Sequence, residues 1–326
     1  MKGPWERLTL PWNPDEVYRV PTDDGAAVTL GRWRPRGEAR GVPVILCHGL
    51  GTNRFDLDFD ERLSLARFLA RRGFESWVLE LRGRGLSGAP HEASFDDQVE
   101  GDVAAALRTV TSTGATKVAW VGHSKGGLLA LAHLARHPTA PICALVTLGT
   151  PFTFHGQPGL SRFIEWLSPA FQRTALPLKA AARLAAPLGL PPSPMSPYLL
   201  NRDNVDPLVV QQSLANAVED LLGGVVRQFA HWSRTGTLTA LDGFDYRAGL
   251  KDVRVPMLAL AGAKDLLAPE EAVRAVAAHH GGPTEVRTLG HATGFRADYG
   301  HGDLTIGRHA PDEVFPLVAE FLARFG

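Results

Sequence analysis

Several runs of this chain have no polar face, and that limits the folds open to it. "PVILCHG" (43–49), "KVAWVGHS", "ICALVTLGTP" (142–151) and "VPMLALAG" (255–262) are short, almost wholly apolar, and end in glycine, serine or proline. A strand with one face in water alternates apolar and polar residues. A continuous apolar strand must be covered on both faces, as in a parallel sheet packed between helices. Helix-forming stretches separate the runs as that arrangement requires: "RLSLARFLARRGF", "SFDDQVEGDVAAALRTV", "KGGLLALAHLARHP" and, last, "APDEVFPLVAEFLARF". Ser94 stands at an N-cap position with Asp96 and Asp97 in the first turn, where negative charge suits the helix dipole. "ESWVLELR" (75–82) and "TEVRTLG" (284–290) read as further strands, and "EVYRVPT" and "AAVTLGRWRP" as an N-terminal hairpin around "TDDGA". The fold class expected is α/β, a mostly parallel doubly wound sheet.

The strand signal is absent between 151 and 255. That interval is Pro-rich at "PLGLPPSPMSP" and otherwise helical, and "DPLVVQQSLANAVEDLLGGVVRQFAHW" opens with Asp206 as N-cap and Pro207 at the first helical position. Residues 1–151 and 248–326 are therefore expected to form the core, with 152–247 inserted as a helical cap over the carboxyl edge of the sheet, where ligands bind in open α/β folds. Gly223-Gly224 would be a hinge or a kink in that cap. One cap face is apolar, with Phe163, Trp166, Leu214, Val218, Leu221, Val225, Phe229 and Trp232. Most of these are expected in the core, and Phe163, Trp166, Phe229 and Trp232, together with His48 and Gly49 of the loop after the third strand, are the candidates for a substrate pocket.

Composition excludes several classes. Lys+Arg and Asp+Glu are equal at 34 each, so there is no basic excess for nucleic acid. Two cysteines, Cys47 and Cys143, lie in apolar strands and are expected to be buried free thiols. No stretch approaches the roughly 18 apolar residues of a membrane span. "MKGPWERLTLPWNPDE" lacks the apolar core of a signal peptide, so a cytoplasmic location is the default expectation. "GRGLSG" (83–88) matches a dinucleotide fingerprint, but Ala89-Pro90-His91 prolongs the loop, whereas that motif needs a helix to start within the glycines.

"GHSKGG" places Ser124 between Gly122 and Gly126 where a strand meets a helix. Chance alone would give G-x-S-x-G only roughly 0.1 times in a chain with this much glycine and serine, a modest signal taken by itself. The spacing makes chemical sense as a nucleophile elbow, a turn too tight for side chains at its neighbours. A serine hydroxyl also needs a base and an acid that orients the base. Asp265, in "LALAGAKDLLAP", lies just past a strand end, ahead of Asp242 and Asp245 as the acid. For the base, His301 in the loop before the last helix fits better than His291, which directly follows the last strand; His309, His279 and His280 are expected to be structural or surface residues. Oxyanion donors are expected from the N–H groups of Leu50, in a loop shaped by His48 and Gly49, and of Lys125. The Lys125 side chain would pair with the cap or reach solvent.

In this order, "CHGLG", "LRGRGLSG", "GHSKGG", "AGAKD" and "DYGHGDL" resemble the α/β-hydrolase superfamily of serine esterases and lipases, and "YGHGDLTIG" is similar to the His-x-Asp ending of acid lipases and related bacterial hydrolases. The resemblance covers most of the chain outside the cap. It implies a Ser124–His301–Asp265 triad with His123 in the elbow, and leaves Asp303 as a local structural partner. Lys125 departs from the apolar or Gln residue common after the serine. The expected activity is hydrolysis of a carboxylic ester with a hydrophobic acyl or alcohol part, with a small-molecule substrate and neither metal nor organic cofactor. The same triad could instead cleave a thioester or transfer an acyl group, and the fold could serve a non-catalytic binding protein.

Overall fold

The chain is described here from a computed structural model, which describes residues 4–88, 92–154, 178–189 and 196–325. Eight strands form one sheet: β1 (Glu16–Pro21), β2 (Ala27–Trp33), β3 (Val44–Cys47), β4 (Ser76–Glu80), β5 (Val118–His123), β6 (Ile142–Leu148), β7 (Met257–Gly262) and β8 (Thr284–Leu289). Their order across the sheet is β1-β2-β4-β3-β5-β6-β7-β8. β1, β2 and β4 pair antiparallel, and every pair from β4 onward is parallel.

The apolar runs are central strands because both their faces are covered. Along β3, Ile45 and Cys47 join one core cluster with Trp77 and Trp120, while Val44 and Leu46 join the opposite one with Val78 and Val121. Successive side chains leave a strand on opposite sides, so two buried layers leave no polar position. Cys47 is buried as a free thiol, and Cys143 is a half-buried one.

Ser94 caps its helix with a reciprocal box: its hydroxyl accepts the Asp97 N–H and the Asp97 carboxylate accepts the Ser94 N–H. The next turn, Gln98–Val103, widens to π geometry before the α-helix Ala104–Thr111.

Between β6 and β7 the described residues hold helices and one isolated bridge, Thr239 to Asp245. The stretch that opens at Asp206 is two helices, Pro207–Asn216 and Gly223–Thr235, rather than one. Gly223-Gly224 therefore starts the second helix and is not a kink within a longer one. Gly224 allows a close approach there, since a Cβ would lie 2.4 Å from the Ala93 carbonyl oxygen. Asp206 makes no capping hydrogen bond with its side chain and faces Arg308 at 3.3 Å instead. Leu222, Val225, Phe229 and Trp232 pack into the same cluster as the sheet. Phe95 joins the two parts: fully buried, it meets Trp232 at 5.0 Å, Phe229 at 5.8 Å and Tyr246 at 6.2 Å between ring centroids.

Phe95→Ala should leave a cavity at that junction and cost about 3–5 kcal/mol, measured by urea denaturation of variant and wild type.

Candidate active site

Ser124 sits between β5 and the helix Lys125–Arg136 at φ 51 and ψ −119, and it alone among described non-glycine residues has positive φ. Such a conformation costs on the order of 1–3 kcal/mol and needs support. The two flanking glycines supply the room. A Cβ on Gly122 would lie 2.2 Å from the Gly127 nitrogen, and one on Gly126 would lie 2.1 Å from the Cys47 carbonyl oxygen. The helix start is thus pressed onto the end of β3. The Ser124 N–H donates to the Leu148 carbonyl (2.8 Å), and its own carbonyl accepts the Gly127 N–H (3.1 Å) and the Thr150 hydroxyl (2.9 Å).

Asp265 follows β7 and is buried. Its Oδ1 accepts the N–H groups of Leu267 (2.9 Å) and Ala268 (2.7 Å), which leaves Oδ2 to face His301 Nδ1 at 2.8 Å. Gly149, at φ +54, makes room for this pair: a Cβ there would stand 3.0 Å from Asp265 Oδ2 and 3.3 Å from His301 Nδ1. His291 is exposed, and its N–H donates to the Asp298 carboxylate (2.8 Å) away from the cavity. Asp242 pairs with Arg136, and Asp245 caps the short helix Tyr246–Gly249. Asp303 is fully buried. It accepts the N–H groups of Asn201 (2.9 Å) and Gly300 (3.0 Å) and the Asn204 amide (2.8 Å), tying the loop of His301 to residues 201–204.

A cavity of about 200 Å³ opens over the elbow. Gly49, Leu50, His123, Ser124, Lys125 and His301 form its polar end. Leu128, Phe154, Leu199, Val210, Leu214, Val218, Phe229 and Ile306 make the rest apolar. Sequence reasoning named few of these, because Leu199, Val210 and Ile306 reach the cavity only through tertiary packing. Two expected pocket residues lie elsewhere. His48 is buried with Nδ1 against the Gly49 carbonyl (2.9 Å) and Nε2 accepting the Leu81 N–H (3.2 Å). Burial and the nearby Lys125 charge hold its pKa down to about 3, which keeps it neutral as that acceptor role requires. Trp232 is buried in the core, where its indole N–H donates to the Thr239 carbonyl (2.7 Å). Phe163 and Trp166 lie outside the described residues.

Lys125 neither pairs with the helical segment nor reaches solvent. Its side chain is buried and Nζ donates to Gln98 Oε1 at 2.7 Å, from the π turn on the far side of the elbow. Burial, reinforced by Arg84, lowers its pKa to about 7. As first residue of its helix, Lys125 has a backbone N–H with no partner inside the helix, as an oxyanion donor requires. Asp56 was not singled out from sequence. It lines the cavity and accepts the N–H of Gly49, the residue before Leu50, at 2.8 Å.

Residues 42–303 match the family model described as alpha/beta hydrolase fold. The AB hydrolase superfamily protein YisY of Bacillus subtilis is 26% identical over 70% of this chain and 76% of its own length. A triacylglycerol lipase of Pseudarthrobacter phenanthrenivorans is 34% identical over 35% of this chain, a match that spans 34% of the lipase. An esterase from Exiguobacterium antarcticum shares the fold at a TM-score of 0.65 and 17% identity, over 93% of this chain and 98% of that one.

The depressed lysine pKa has a consequence for stability. The unfolded chain binds a proton at Lys125 that the folded chain releases between about pH 7 and the ordinary lysine range, so stability rises with pH across that window. Lys125→Met removes this dependence. Its melting temperature relative to wild type should be most favourable below pH 7 and decline steadily up to pH 10, as read by thermal melts at a series of pH values.

Proposed function

The chain belongs to the α/β-hydrolase fold family, and on that premise we propose that it hydrolyses carboxylic esters with a hydrophobic acyl or alcohol part through an acyl-enzyme. One observation carries the reading: a serine on a strained elbow and His301, paired with the buried Asp265, open onto the same apolar cavity. The lipase relative, matched over a segment of its length, supports the ester as substrate class.

In this reading Ser124 Oγ attacks the ester carbonyl while His301 Nε2 takes its proton. Asp265 fixes the ring with Nδ1 protonated and stabilises the imidazolium that forms, held in place by its bonds to Leu267 and Ala268. The oxyanion settles on the N–H groups of Leu50 and Lys125, donors already fixed before charge develops. His301 returns the proton to the departing alcohol, and water then repeats the attack on the acyl-enzyme. Segment 152–247 serves as the cap. Its Phe229, with Val210 and Leu214, gives the hydrophobic part of the substrate a dry wall, and burial of each methylene there adds about 0.8 kcal/mol of binding.

The test is hydrolysis of p-nitrophenyl esters of two to twelve carbons by wild type, Ser124→Ala, His301→Ala and His291→Ala. The first two variants should lose on the order of 10³-fold or more in kcat/KM, while His291→Ala stays near wild type. Medium acyl chains should be preferred over acetate. A wild type that turns over no ester and is not labelled at Ser124 by a fluorophosphonate would sink the proposal.

A further inference from the structure

A second histidine–carboxylate pair lies directly beneath the first. His123 and Asp56 are both buried, and His123 Nδ1 is 2.8 Å from Asp56 Oδ2. The other ring nitrogen, Nε2, is 3.2 Å from the backbone carbonyl oxygen of His301. Both partners are acceptors with no proton to give. Two hydrogen bonds of this kind need a proton on each ring nitrogen, and the geometry therefore points to an imidazolium at His123.

The groups facing it agree. Burial opposes the charge, but Asp56 outweighs it with help from Asp265, and the pKa of His123 is raised. Burial opposes ionisation of Asp56 as well, and there His123 and the Gly49 N–H prevail, so its carboxyl stays far below its ordinary range. The His301 ring lies 4.8 Å from the His123 ring, centroid to centroid. The pair is neutral as a whole, and so can sit beside the base without adding a net charge there.

Its reach is what sets it apart from an ordinary buried ion pair. Asp56 Oδ2 also accepts the Gly49 N–H at 2.8 Å, which holds the loop carrying Leu50. Oδ1 takes the Thr305 hydroxyl at 3.2 Å, from the short helix Asp303–Ile306 behind the base. His123 itself is the residue before Ser124. Oxyanion loop, elbow and base loop arrive from three different strand ends, and this pair touches all three.

We propose that Asp56 and His123 form a buried carboxylate–imidazolium clamp that sets the oxyanion donor of Leu50 and the imidazole of His301 in register with Ser124. Both are positioning residues, and the proposal rests on the ester-hydrolase reading above. Neutralising either partner leaves the other charge buried and uncompensated. The three loops then lose their common anchor, and transition-state stabilisation suffers more than substrate binding.

Two measurements on the full chain test it. With nitrogen-15 labelled histidine, NMR at pH 8 should show wild-type His123 as an imidazolium, its signal assigned by its loss in His123→Gln; in Asp56→Asn the ring should become neutral. With p-nitrophenyl butyrate, Asp56→Asn and His123→Gln should lose on the order of 10²-fold in kcat with KM nearly unchanged, comparable to removal of an oxyanion donor. Ser124 should still be labelled by fluorophosphonate, only more slowly. A wild-type His123 found neutral at pH 8 overturns the clamp, and that reading does not depend on either variant folding. So does wild-type kcat in both variants while Ser124 remains reactive. Absence of turnover and of Ser124 labelling in wild type is a different result: it removes the hydrolase reading, and the clamp falls with it.

Discussion

The close approach between the start of helix Lys125–Arg136 and the end of β3 is the contact on which the rest of the site depends. Gly126 lies so near the Cys47 carbonyl that no side chain fits between them. Only that approach lets the chain leave β5, pass through Ser124 at positive φ, and enter a helix at once. The same contact brings the loop after β3, with Gly49 and Leu50, to the rim of the elbow. Strain at Ser124 is offset by hydrogen bonds to Leu148, Gly127 and Thr150, and by the packed sheet on either side. The strained residue is thus held from several directions, while its hydroxyl needs no structural partner.

Around this elbow charge is handled with economy. Each ionised or ionisable group near the cavity has a partner chosen for it: Asp265 takes two backbone N–H groups and His301, Asp56 takes His123 and Gly49, and Lys125 takes Gln98. The remaining wall is apolar. In the proposed reaction charge would appear on one oxygen and vanish again, and backbone donors facing an apolar wall would not have to reorganise as water does.

Much of this was legible in the sequence, and for identifiable reasons. Ile45 and Cys47 face one layer and Val44 and Leu46 the other, so an unbroken apolar run announces a central strand. Ser124 is marked by its glycines, and Asp265 and His301 by their places after a strand and before the last helix. What escaped notice depends on partners distant in the chain. Nothing in "RFDLDFD" distinguishes Asp56, under the elbow, from Asp58, which accepts the indole N–H groups of Trp12 and Trp33 far from it. The direction of Lys125 is decided by Gln98, whose own position depends on an extra residue in a helical turn. His48 and Trp232 look like pocket residues until the backbone groups they satisfy, Leu81 N–H and Thr239 C=O, are seen. The break after Asn216 was hidden because the apolar pattern continues across it.

Asp303 binds Asn201 and Asn204 on one side and the backbone of Gly300 on the other. The segment that follows the cavity-lining Leu199 and Leu200 and the loop that carries His301 therefore share one buried carboxylate. The two therefore move together: a shift of residues 201–204 would pull on the buried carboxylate that also holds the Gly300 N–H, next to His301. Variation in what the cavity accepts is easiest where no such tie exists, at Leu214 and Val218, half-buried side chains on its apolar wall.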